Sequence, residues 1–208
     1  MVDHLGHFIK YTGLTVICKM IAPDRLKGLE TLINELRIFR KYVVPTPGSS
    51  YHMTITGIPS NSSKHQLEHI RKMCNDFSAA ISPSKEWERE VMFKDIYFGE
   101  TAGISVTVST GSHIITKLRG DILDVLESGP KQGSSLRPAY EFHITFGYKY
   151  KQLEPQDMEQ YAEDVSKIKR YIYSIFPRFI SKIKLGNPYI YSFNDMTEFT
   201  PLPPPDRG

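Results

Sequence analysis

Two distant segments of this 208-residue chain repeat one five-residue pattern. Tyr51-His52-Met53-Thr54-Ile55 and Phe142-His143-Ile144-Thr145-Phe146 each read aromatic, histidine, apolar, threonine, apolar. Side chains alternate across a β-strand, so His52 and Thr54 share one face while Met53 and Ile55 take the other, and the second copy divides the same way. Of the 7 histidines, only these two are followed two places later by threonine. The duplication constrains the fold: each half of the chain must supply an equivalent strand with one buried face and one polar face.

The rest of the sequence supplies two αβ halves around these strands. Thr15 to Ile21 is dense in β-branched and apolar residues and predicts a buried strand, with Pro23-Asp24 offering a turn and helix start. Leu26, Leu29, Leu32, Ile33 and Leu36 recur at three-to-four spacing and predict one helix running to about Phe39. Tyr42 to Val44 reads as a short strand, Pro45 to Ser50 as a loop and Tyr51 to Gly57 as a strand. Asn61, Ser62 and Ser63 are candidate caps for a helix carrying Leu67, Ile70, Met73, Cys74 and Phe77. In the second half, Val91 to Phe98 and Ile104 to Val108 predict strands, and Ile114 to Leu126 a helix. Gly129 to Pro138 reads as a loop, Glu141 to Tyr148 as a strand, and Pro155 to about Ile175 as a helix. Phe179 to Leu185 and Tyr189 to Phe193 predict two more strands, reversed at the Gly186-Asn187-Pro188 turn. Gly57 and Gly147 are expected to end their strands. Residues 1–200 then form one domain, with halves of roughly 13–85 and 88–195, and 201–208 form a Pro-rich tail.

Composition excludes several classes. Hydrophobic residues at 40% and charged residues at 24% match ordinary globular domains. A formal net charge of +3 gives a mildly basic surface, short of the Lys/Arg stripes of a duplex-binding protein but suited to a small anionic ligand or an RNA end. Cys18 and Cys74 form no C-x-x-C pair, which points to a reducing, cytoplasmic compartment. Met1 to Thr12 lacks the apolar centre of a signal peptide, and no apolar run approaches the roughly 20 residues that span a bilayer. Neither G-x-x-x-x-G-K-[ST] nor G-x-G-x-x-G before a helix occurs, against a P-loop or a dinucleotide fold.

The chemistry that suits two imidazoles with two hydroxyls is cleavage of a phosphodiester. One group must take a proton from the nucleophile and another must protonate the leaving oxygen, and a pKa near about 6.5 lets histidine serve as either. Thr54 and Thr145 can donate to the non-bridging phosphate oxygens as charge builds in the transition state. Neither motif carries Asp, Glu or Cys to complete a metal shell, so neither a metal nor a cofactor is expected. Tyr140, Arg137, Tyr11 and Tyr42 flank the motif strands and are candidates to stack on a base or meet a phosphate. Tyr51, Phe142, Phe146 and Tyr148 fall on the opposite face and are assigned to the core.

His52-Met53-Thr54 and His143-Ile144-Thr145 together resemble the paired motifs of the 2H phosphoesterase superfamily. Gly13 to Met20, Ser49 to Thr54 and Asn194 to Phe199 resemble the opening strand, first motif and closing segment of a branch catalogued as a domain of unknown function. The resemblance implies a bilobal α+β fold, with two pseudo-symmetric lobes whose antiparallel sheets line a central groove and whose helices lie outside. It also implies a cyclic phosphate, an RNA-type or a 2′,5′-linked diester as substrate, with a nucleotide or RNA end as partner; a monomer without a stable protein partner is expected. A nucleotide-binding module with little turnover and an RNA 2′,5′-ligase are the alternatives.

Overall fold

The computed structural model describes residues 2–21, 26–81, 89–99, 103–111, 113–127, 140–177 and 181–203. In chain order its elements are β1 (Gly13–Met20), α1 (Lys27–Glu35), α2 (Arg37–Arg40), β2 (Val43–Pro45), β3 (His52–Ile58), α3 (Lys64–Ala80), β4 (Glu90–Tyr97) and β5 (Ile104–Thr110). There follow α4 (His113–Glu127), β6 (His143–Lys149), α5 (Met158–Ile175), β7 (Lys182–Phe193) and β8 (Phe199–Pro201). Pro23-Asp24, the Gly129 to Pro138 loop with Arg137, and Pro204 to Gly208 lie outside the described residues. Among those described, no helix is long and apolar enough to cross a membrane.

Local chemistry accounts for the helices. The Ser63 hydroxyl accepts from the Gln66 N–H at 3.2 Å and the Gln66 side chain accepts from the Ser63 N–H at 2.9 Å, a reciprocal cap that starts α3. The helix expected to run to Phe39 is instead two. Leu36 leaves helical geometry with ψ at 85°, which separates α1 from α2. The Phe39 N–H, among the unpaired donors of the first turn of α2, donates to the buried Asp164 carboxylate of α5 at 3.2 Å. The Phe39 ring stacks on Tyr161 at 5.1 Å. The periodicity of residues 26–39 marks the buried face correctly, but the contacts with α5 set the break.

All strand pairings are antiparallel, and the order β1-β3-β6-β5-β4-β7 returns to β1, so six strands close into a barrel, with β8 added to β7 and β2 to β6. This corrects the expectation of two lobes with separate sheets lining an open groove. The reason lies at Gly186-Asn187-Pro188, which forms no reversal. Lys182 to Lys184 pair with Met92 to Glu90 of β4, and Leu185 to Phe193 pair with β1. The register slips where Met20 faces Leu185 and Cys18 faces Pro188, so the three residues form a bulge inside one continuous 12-residue strand. A bulge bends a strand and tolerates proline, so the residues that signal a turn here pass β7 from one half to the other.

The apolar face of both motif strands, Met53, Ile55, Ile144 and Phe146, is fully buried. Helices α3 and α4 pack on β7 and β3, and α1, α2 and α5 pack on one another.

A candidate phosphate-ester cleft

The two H-x-T strands are neighbours. Met53 of β3 faces Ile144 of β6 in antiparallel register, so alternation sets His52 beside Thr145 and Thr54 beside His143 on the opposite face. The two histidines then stand on a diagonal of about 7–8 Å between backbones, with a hydroxyl next to each. Both strands also bulge at the same motif position. Ile55 has no partner between the Val16–Thr56 and Ile17–Thr54 pairs, and Phe146 has none between Ile104–Gly147 and Ser105–Thr145. Each freed carbonyl is satisfied elsewhere: Ile55 accepts from Arg119 at 2.7 Å and Phe146 from the Thr46 N–H at 2.9 Å. The duplication thus extends from sequence into backbone geometry.

The rings are oriented alike. His52 Nδ1 lies 2.5 Å from the Ser50 carbonyl, and His143 Nδ1 lies 3.1 Å from the Glu141 carbonyl, in each case two residues upstream. A carbonyl only accepts, so Nδ1 carries a proton in both rings and Nε2 is left for a ligand. Burial pushes the His52 pKa down to about 4; the Ser50 hydrogen bond opposes the shift, while the charges of Lys19 and His143 add to it. Phe199 of β8 packs on the imidazole, its ring centroid 4.2 Å from that of His52. His52 is therefore neutral at pH 7, with an open lone pair on Nε2.

His52, Thr54, His143 and Thr145 line one cleft of about 630 Å³, walled by Tyr11, Tyr148, Phe193, Met196 and Phe199. Tyr11 reaches it as anticipated and packs against Phe193 at 5.8 Å. Tyr148, assigned to the core, lines the cleft instead: the bulge at Phe146 inverts the alternation beyond it. Tyr42 is not brought to the cleft. It is fully buried, its hydroxyl donates to Asp157, and it accepts from the Glu154 N–H at 3.3 Å, which ties β2 to the start of α5. Tyr140 stands beside the cleft, its hydroxyl 3.4 Å from the Thr54 carbonyl and its ring under the Arg119 guanidinium at 3.9 Å. Both line a hollow of about 740 Å³, larger than the cleft but reached by neither motif histidine. Arg137 lies outside the described residues.

Sequence reasoning missed Lys19, Tyr148 and Phe199. Lys19 faces His52 across β1 and β3, a cross-strand relation that no local pattern announces. Phe199 lies in a three-residue strand too short to show periodicity, although the closing-segment resemblance ends on it. Among the described residues, no three His, Cys, Asp or Glu side chains gather to hold a metal ion.

No family model matches the chain. It is 23% identical, over 227 residues, to the uncharacterized protein 127L of Invertebrate iridescent virus 6, an alignment that covers 95% of this chain and 92% of that protein. Two structures of Usb1 from Kluyveromyces marxianus, one with uridine monophosphate, overlay at 11% identity and TM-scores of 0.46 and 0.45, too loosely to establish a common fold. They cover 93% and 92% of this chain, and 99% and 98% of theirs. A conserved protein of unknown function from Agrobacterium tumefaciens overlays at a TM-score of 0.59 and 16% identity, covering 97% of this chain and 88% of its own, so the chain shares its fold.

Proposed function

We propose that this chain is a metal-independent phosphodiesterase of the 2H type, acting on a nucleotide or RNA-end phosphodiester through His52 and His143. The observation that supports it best is the convergence of both H-x-T pairs in one cleft, with each Nδ1 held by the carbonyl two residues upstream.

In this reading His52 is the base, because burial keeps it neutral. Its Nε2 takes the proton of the attacking water or ribose hydroxyl as the new O–P bond forms. His143, with Nδ1–H held by Glu141, releases a proton from Nε2 to the leaving oxygen as the old P–O bond breaks. The Thr54 and Thr145 hydroxyls donate to the non-bridging oxygens, where negative charge grows. Lys19, across from His52, adds a positive charge at the margin of the site.

The test is turnover on a panel of 2′,3′-cyclic nucleotides, 3′,5′-cyclic nucleotides, 2′,5′-oligoadenylate and short RNAs. His52→Ala and His143→Ala are each expected to lower the rate at least about 10²-fold, and EDTA to leave the wild-type rate intact. Full activity in either variant, or an enzyme silenced by chelation and revived by added metal, overturns the reading. Tight nucleotide binding without turnover of any panel member makes the chain a binding module.

A further inference from the structure

His143 is a wall shared by two spaces. On one side lies the 630 Å³ cleft; on the other lies a hollow of about 250 Å³ lined by Tyr97, Ser105, Thr107, Glu141 and His143. The strand register explains the continuity. Lys19 faces His52, Thr145 faces Ser105, and Ser105 faces Tyr97, so one row of side chains crosses from β1 through β3, β6 and β5 to β4. A parallel row holds Ile17, Thr54, His143 and Thr107. Directly opposed residues share a face, so the motif histidines stand in a mostly polar strip that ends on Asp95, which faces Thr107, and on the Tyr97 ring.

That ring is presented to solvent. Tyr97 is 55% exposed and stacks on no other ring among the described residues. It lies over Gly99, where an added Cβ would meet its Cε1 at 2.3 Å. The absence of a side chain at Gly99 leaves room for the ring at the end of the strip, and a planar base can stack on its exposed side.

Resting on the phosphodiesterase reading, we infer that the substrate is a diester flanked by nucleosides on both sides, a dinucleoside or longer chain. One nucleoside occupies the Tyr11–Phe193 side of the cleft and the other stacks on Tyr97 past His143. A cyclic mononucleotide fills one side only, and leaves Tyr97 bare.

The experiment compares ApA, in 3′,5′ and 2′,5′ linkage, with adenosine 3′-methyl phosphate. Tyr97→Ala is expected to lower kcat/KM for ApA about tenfold more than for the methyl ester, mainly through KM, because stacking of a base on an aromatic ring is lost. Tyr97→Phe, which keeps the ring, restores the preference for ApA, and Gly99→Ala weakens it by displacing the ring. Equal losses on the two esters, or a Tyr97→Ala enzyme that handles ApA as the wild type does, overturns the subsite while leaving the phosphodiesterase reading in place. If the wild type turns over neither ester, that reading fails on these substrates, and calorimetry decides the subsite. Tighter binding of ApA than of adenosine monophosphate, abolished by Tyr97→Ala, sustains it; equal affinities overturn it.

Discussion

His52 and His143 sit in pentapeptides of one pattern yet meet different surroundings, because β8 folds Phe199 onto the first at 4.2 Å while the ring beside the second, Tyr140, stands 6.3 Å away. The depressed pKa of His52 follows chiefly from lost hydration of its charged form. An NMR titration is expected to place the His52 midpoint near 4, with the proton on Nδ1 at pH 7. Phe199→Ala, by opening the ring to water, moves that midpoint up toward the ordinary value of about 6.5; an unchanged midpoint in that variant disproves the role of Phe199. The same shift links to stability. As pH falls below about 6.5 the unfolded chain takes up a proton that folded His52 refuses, so the contribution declines down to about pH 4, where the folded protein accepts it too. His52→Asn should flatten this part of the stability profile, as measured by denaturant titration across that pH range.

At the scale of elements, the paired bulges decide which side chains reach the cleft. Beyond Phe146 the backbone of β6 runs against β2, and a Cβ on Gly147 would stand 2.9 Å from the Val44 carbonyl oxygen. Nothing lies within 4 Å of a Cβ on Gly57, the glycine of β3. Gly147→Ala is therefore expected to cost about 1–3 kcal/mol by forcing backbone apart, whereas Gly57→Ala stays within about 0.5 kcal/mol of the parent. Equal costs in urea unfolding would contradict this account. Neither glycine ends its strand, as their identity alone suggests; Gly147 is required by the close approach of β2. A second element-level consequence concerns Asp164, 3% exposed, which accepts from Phe39 and pairs with Lys167 at 3.1 Å. Asp164→Ala strands the Phe39 N–H at the start of α2 and should destabilise by about 1–3 kcal/mol, with no change in the pH at which His52 titrates.

For the whole molecule, closure of the ring through β7 makes the two halves interdependent. β1 is hydrogen-bonded on both edges, to β3 and β7, while β7 also holds β4 and β8. Unfolding monitored by far-UV and near-UV signals should give one coincident transition, with the amides of β1 and the central part of β7 among the slowest to exchange; two separated transitions would mean the halves fold apart. Much of this molecule was legible along the chain. Period-2 alternation placed His52, Thr54, His143 and Thr145 on polar faces and Met53 and Ile144 on buried ones, because that alternation is a property of the extended backbone itself. Three-to-four spacing located α3 and the buried face of residues 26–36 for the same local reason. Tertiary structure alone decided that β3 lies beside β6, that Gly186-Asn187-Pro188 bends a strand where a turn was expected, that Tyr42 is buried while Tyr148 and Tyr97 are presented, and that Phe199 covers His52. Each of these depends on which distant backbone supplies the hydrogen-bond partner, and a residue's neighbours in sequence carry no record of that choice.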